Sequence, residues 1–386
     1  MFKSWTIIEY LRKSASLLRF LSLFSFFFAL YALTAQRGLG WGDSGEFQYR
    51  ILHCPNGILA GCDSFATAHP LYAALARCLC STPFQVTLLS SFFGALAVGG
   101  LYLCTRKVGL SILFGLSHML WWLSCLAEVQ TLNLAFTVFE TLCLLRYLST
   151  GRRAWMLLTA FLAGVHLNCH NFALLAFPVY AIVLFRSDIR TFLLSTATGL
   201  LGASYWIYSL ATRGFSDVLV GSYGSKVAGL LPSNRLVTGF NLALAALSFV
   251  LPAALAWWRR KVPSDASNRN RQIVVGALLA VNALFFVRYF VPDQATFLLP
   301  TLFFAYLFVA QSEIRLNRLI ALILIQILLP FMAWSVISQF PSPQGRAPHK
   351  YRNDATYFAF PWKFNDTSAD RCAAELGGEW TGYPKN

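Results

Sequence analysis

Charge is scarce in this chain. Only 12% of its 386 residues are Asp, Glu, Lys or Arg, where soluble domains carry roughly a quarter. That deficit excludes two or three ordinary water-soluble domains, the architecture that length alone would suggest. No repeat of 20 to 50 residues appears and no low-complexity tract, so solenoid and linker-rich architectures are excluded too. Zinc-type cysteine spacing is also lacking: Cys78-Leu79-Cys80 is one residue short and no second pair follows. The nine cysteines are an odd number, which rules out complete internal pairing. Cys54 and Cys62 share a long loop and are candidates for a small disulfide, while the others read as small apolar helix residues.

What is abundant is apolar side chain, at 57% hydrophobic and 16% aromatic. It falls in blocks of roughly 16 to 22 residues, the length that crosses a hydrocarbon core about 30 Å thick. The pattern predicts an all-α, polytopic membrane protein of about eleven helices, near residues 20–35, 84–104, 110–126, 131–148, 154–169, 171–185, 191–210, 236–257, 272–290, 295–310 and 319–338. A membrane domain over 1–338 and a short tail over 339–386 follow from it. The first block is short and follows positive charge, as in a cleaved signal peptide, yet no small-x-small cleavage site precedes Gln36 and an anchor is the favoured reading.

A formal net charge of +15 raises the question of nucleic acid, and the distribution of the charge answers it. Basic clusters mark every second loop: Lys3, Arg12, Lys13 and Arg19; Arg106-Lys107; Arg146 with Arg152-Arg153; Arg186 and Arg190; Arg259-Arg260-Lys261; Arg315 and Arg318. That is a topology signal placing the N-terminus in the cytoplasm, not a nucleic-acid patch, and Trp257-Trp258 belongs to an interfacial belt. The loop over 36–83 and the tail then lie on the outer face, as do most of the 16 acidic residues.

The outer loop reads Gly40-Trp41-Gly42-Asp43-Ser44-Gly45-Glu46-Phe47, two carboxylates three residues apart. They share a face if the segment turns helical from Ser44, and nearby aromatics would raise a carboxylate pKa toward that of a base. A plain alternative is an Asp helix cap beside a solvated Glu. Further along come Ala68-His69-Pro70-Leu71-Tyr72, Ala127-Glu128-Val129 at a helix end, and Asp293 with Arg288 one turn inside. His166 and His170 stand four apart, but Leu167 occupies the position of the Glu in a His-Glu-x-x-His site, which argues for hydrogen-bonding roles. Glu140, embedded in apolar sequence, needs a partner or a proton. Gly221 to Lys226 matches a phosphate loop only superficially, and Asn365-Asp366-Thr367 is a single glycosylation sequon.

The ordered run of Asp43-Ser44-Gly45-Glu46-Phe47, Ala68-His69-Pro70-Leu71-Tyr72, Ala127-Glu128-Val129, Gly164-Val165-His166-Leu167 and Asp293 with Phe297-Leu298-Leu299-Pro300 resembles the GT-C glycosyltransferases, in particular the multi-pass family with protein O-mannosyltransferase-like members. The chain departs from that family in passing directly from His69-Pro70 to Leu71-Tyr72 and in carrying Gln130 where relatives have Tyr. The resemblance implies an inverting enzyme that moves a sugar, such as mannose, from a polyprenyl-phosphate donor to a protein, glycan or lipid acceptor. It implies a place in a bacterial inner membrane, or the ER membrane of a eukaryote, with the active site on the outer or lumenal face. Asp43 would be the general base, Glu46 its acidic partner and Glu128 a third carboxylate. His69, Tyr72, Arg50, His166, Arg288 and Asp293 would bind substrate, with His69 and Arg288 the preferred cationic donors to the leaving phosphate. Metal dependence stays open at this stage, since three acidic residues are able to take a divalent ion or to work without one. The competing reading is a transporter or lipid flippase, which places ionisable residues at mid-membrane.

Overall fold

A computed structural model of the chain describes residues 7–38, 40, 43–53, 69–220, 248, 266–289, 294–310 and 316–337. The protein is an all-α integral membrane bundle, with no strand among the described residues. The helices are α1 (Ile7–Thr34), α2 (Asp43–His53), α3 (Pro70–Leu79), α4 (Pro83–Thr105), α5 (Val108–Gly115), α6 (His118–Ser124), α7 (Gln130–Thr150), α8 (Arg153–Leu167), α9 (Phe177–Phe185), α10 (Ile189–Gly202), α11 (Ser204–Arg213), α12 (Ala266–Arg288), α13 (Leu299–Val309) and α14 (Leu316–Ile337). Short 3-10 segments, Asn171–Ala176 and Gln294–Leu298, lead into α9 and α13.

Four stretches are long and apolar enough to cross a membrane by length and composition: Ser14–Thr34, Pro83–Thr105, Gln130–Thr150 and Arg269–Arg288. Shorter apolar helices accompany them. Four sequence expectations change here. The span near 110–126 is two helices, α5 and α6, and the span near 191–210 is α10 and α11. The first helix begins at Ile7, well before residue 20, and the loop over 36–83 contains α2 and α3. The span near 236–257 apart from Ser248, together with Cys54, Cys62, Asp293 and the tail over 339–386, lies outside the described residues.

A helix broken within an apolar layer leaves carbonyls that no water reaches, so other side chains must satisfy them. At the α5–α6 break they do. Tyr31 on α1 donates to the Gly115 carbonyl at 2.6 Å, Tyr306 on α13 to that of Leu113 at 3.4 Å, and Gln326 on α14 to that of Leu116 at 3.3 Å. Ser117 turns back onto the Phe114 carbonyl at 2.6 Å. The same region is the core, where Phe27, Tyr31, Leu101, Phe114, Met119 and Phe303 are fully buried. Leu17, Leu18, Phe26 and Leu33 of α1 are exposed on the outside of the bundle, where lipid tails would meet them.

Small residues let α8 and α10 meet backbone to backbone. A β-carbon at Gly164 would stand 2.1 Å from the Gly199 carbonyl oxygen, and one at Gly202 2.4 Å from that of Phe161. Basic residues gather at the end of the bundle where α4, α7 and α9 finish and α8, α10 and α12 start. There Arg153 pairs with Asp188 at 3.1 Å. Asp188 also caps α10 by accepting from Thr191, and those bonds hold its carboxyl below the ordinary range. The opposite end carries α2 and α3. They lie beside the start of α4, which opens with Pro83 and a capping box between Thr82 and Gln85.

Candidate active site

α2 has two faces. Asp43, Phe47 and Arg50 follow one another at helical spacing on one, and Ser44, Gln48 and Ile51 form the other, which is buried. The buried face ties the helix down. Gln48 accepts from the Gly40 N–H at 2.6 Å and donates to the Pro83 carbonyl at 2.9 Å and to Thr87 Oγ1 at 3.1 Å. Ser44 donates to Glu128 Oε1 at 3.2 Å.

Glu128 belongs to the turn between α6 and α7. Its backbone is held by one hydroxyl, Ser90 of α4, which takes its N–H and donates to its carbonyl, each at 3.0 Å. Tyr72 Oη lies 3.5 Å from Ser90 Oγ, and the Tyr72 ring packs against Phe47 with centroids 5.8 Å apart. Four chain segments far apart in sequence therefore share one polar junction.

His69 is the N-cap of α3 and adopts the left-handed region, φ 46° and ψ 60°. That conformation costs on the order of 1–3 kcal/mol in a residue with a β-carbon and is seldom seen before proline. Its surroundings hold it there. His69 Nδ1 donates to the Cys169 carbonyl at 2.9 Å, and the Leu71 N–H donates to the Asn168 carbonyl at 2.9 Å. The ring stacks on His170 at 4.8 Å and meets Phe47 at 5.7 Å. Burial lowers the His69 pKa to about 4, against the opposing pull of the Cys169 carbonyl and of Asp43, which lies within electrostatic reach. Burial also holds His170 well below the ordinary range, helped by the imidazoles of His69 and His166. The Tyr72 hydroxyl is pushed up, again mainly by burial and to a lesser degree by Glu128.

The structure thus brings Asp43, Glu128, His69 and Tyr72 to one end of the bundle, with Glu46 three residues after Asp43 on α2. Several expected roles change. His69, taken from sequence as a cationic donor, has its pKa lowered by burial to about 4, which favours the uncharged ring. Tyr72 is completely buried and reaches the junction through Ser90. Arg288 is exposed at the end of α12 and is not part of the junction. Arg50 is half-buried on the Asp43 face of α2.

His166 lies deeper and belongs to a different network. Its Nδ1 is 2.7 Å from Glu140 Oε1, its Nε2 is 2.6 Å from Asn133 Oδ1, and Phe136 stacks on the ring at 5.2 Å. Tyr180 donates to the second Glu140 oxygen at 2.8 Å. This answers the question raised by Glu140: its partners come from α8 and α9. Ser44, Gln48 and Ser90 are not singled out by the sequence, since serine and glutamine at helical spacing carry no chemical signature of their own. Among the described residues no three His, Cys, Asp or Glu side chains are grouped to hold a metal ion.

Two solved structures resemble the chain. The crystal structure of ArnT from Cupriavidus metallidurans bound to undecaprenyl phosphate matches with a TM-score of 0.58 at 14% identity, over 95% of this chain and 75% of that one. The apo-state structure of the same protein matches with a TM-score of 0.55 at 14% identity, over 96% of this chain and 76% of that one. No family model and no curated protein matches the chain in sequence. At this identity the shared property is the polytopic fold.

Proposed function

We propose that the chain is a GT-C glycosyltransferase that takes a sugar from a polyprenyl-phosphate carrier and places it on an acceptor hydroxyl. The observation that carries this reading is the Ser44–Glu128 junction beside Asp43, at the bundle end opposite the arginine clusters. Its context supports it: the fold resembles ArnT, a GT-C glycosyltransferase whose structure was solved with undecaprenyl phosphate bound. If the basic end is cytoplasmic, the junction faces the outer or lumenal side.

In this reading the acceptor oxygen attacks the anomeric carbon from the side opposite the phosphate, which inverts its configuration. The carbon–oxygen bond to the carrier breaks and its electron pair leaves with the polyprenyl phosphate. The acceptor proton passes to Asp43, the general base, with Glu46 as its acidic neighbour and Glu128 held in place by Ser44 and Ser90. A cation for the departing phosphate comes from Arg50, which shares the Asp43 face of α2. The transporter reading would draw on Glu140 and His166, but Tyr180 and Asn133 complete that pair internally.

The test is turnover in lipid nanodiscs. Purified protein supplied with polyprenyl-phosphate hexoses and a mixed panel of peptide, glycan and lipid acceptors should release free polyprenyl phosphate and label one acceptor class. Binding of the carrier lipids without turnover on any acceptor would remove the transferase reading.

A further inference from the structure

Resting on the glycosyltransferase reading, we propose that His69 and His170 form an uncharged pair that binds two neighbouring hydroxyls of a neutral sugar on the carrier lipid. The hydrogen bonds of each ring fix where its proton resides. The Cys169 carbonyl accepts only, so His69 carries a proton on Nδ1, and in the uncharged ring Nε2 keeps a lone pair. The Phe172 N–H donates to His170 Nδ1 at 3.1 Å, so His170 carries its proton on Nε2. Neither Nε2 has a hydrogen-bond partner among the described residues.

Two stacked rings, 25° from parallel with centroids 4.8 Å apart, therefore carry one acceptor and one donor between them. A hydroxyl both gives and accepts a hydrogen bond, so a vicinal pair of hydroxyls satisfies both nitrogens. A phosphate oxygen would face the His69 lone pair, and an ammonium group would face the His170 N–H; each leaves one repulsive contact. The walls suit a sugar as well. Phe172 lies 4.0 Å and Phe297 6.1 Å from the His170 ring, and Phe47 borders His69, which gives apolar surface for the C–H faces of the ring. Burial lowers the pKa of His69 to about 4 and holds that of His170 well below the ordinary value, which favours the uncharged rings. Asp43 is within electrostatic reach of His69, so a sugar held by the pair lies next to the proposed base.

The test compares binding of defined lipids to the full chain in nanodiscs, by native mass spectrometry. The lipids are bare undecaprenyl phosphate, the same carrier bearing mannose, glucose or galactose, and the carrier bearing an aminohexose. At least one neutral hexosyl lipid should bind about tenfold tighter than the bare carrier, and the aminohexosyl lipid should gain less. His170→Ala should reduce the hexosyl affinity to that of the bare carrier, and His170→Gln, which restores an N–H near Nε2, should recover part of it. If His170→Ala weakens bare and hexosyl carriers equally, the pair reads phosphate and the proposal fails while the transferase reading stands. If no neutral hexose adds affinity, the proposal fails likewise. If the wild type binds none of the lipids, the transferase reading itself fails. Nitrogen-15 NMR of histidine-labelled wild type provides a check that needs no variant: His69 should show the Nδ1–H tautomer and His170 the Nε2–H tautomer at neutral pH. The reverse assignment, or a charged ring in either residue, overturns the pair.

Discussion

Ser44 on α2 donates a hydrogen bond to Glu128, 84 residues later, at 3.2 Å. That bond joins the segment carrying Asp43 to the turn between α6 and α7. Bonds to an ionised acceptor contribute about 1.5–3 kcal/mol, so orientation of Glu128 depends measurably on one hydroxyl. Ser44→Ala should slow sugar transfer by about tenfold to a hundredfold with little loss of thermal stability, as read by steady-state release of polyprenyl phosphate. Unchanged turnover would detach Glu128 from the chemistry.

Asp43→Asn keeps the volume and the helix start but removes the proposed base. Transfer should fall by at least about 100-fold while carrier-lipid binding and the melting temperature stay close to wild type. A variant that still turns over at the wild-type rate would move the base elsewhere.

Glu140 and His166 are each 1% to 2% exposed, inside the bundle. Removing one member of such a pair strands the other, at a cost of about 3–5 kcal/mol. Glu140→Ala and His166→Ala should therefore each lower detergent-resistant stability strongly. The double variant Glu140→Leu with His166→Leu should lose much less than the sum of the two, in a thermal-shift double-mutant cycle.

Tyr31→Phe changes one atom. It leaves the Gly115 carbonyl without its 2.6 Å donor at a helix break where water has no access. The expected loss is about 1–3 kcal/mol, measurable as a lower unfolding midpoint.

Acid should destabilise the site in one direction only. His69 has its pKa lowered from 6.5 to about 4 in the folded chain, so between those values the unfolded chain binds more protons. The contribution of this residue to stability is fully present above about pH 7, declines as pH falls through 6.5, and reaches its limit below 4. His170 acts in the same sense. A pH series of unfolding midpoints on wild type and His69→Gln should show the acid-dependent loss shrinking in the variant.

Much of this architecture was legible from the order of residues. Bilayer thickness sets the length of an apolar run, so α4, α7, α8 and α12 appear within a few residues of where hydropathy puts them. Asp43 and Glu46 stand at a spacing that shares a face only if the loop turns helical there, and α2 is that helix. Hydropathy missed the break at Leu116–Ser117, because an apolar sequence reads the same whether or not its helix is interrupted. What permits the break is Tyr31, Tyr306 and Gln326, residues on three other helices.

Sequence by itself therefore determined that the chain lives in lipid, roughly where it crosses, and which end collects positive charge. Those properties are sums over neighbouring residues and need no knowledge of distant ones. Only the tertiary structure decided that Ser44 meets Glu128, that His166 turns inward to Glu140, and that the His69 ring stacks on His170. Hydrogen-bond partnership and desolvation arise between segments far apart in the chain, and they change the chemistry of a side chain without changing its name.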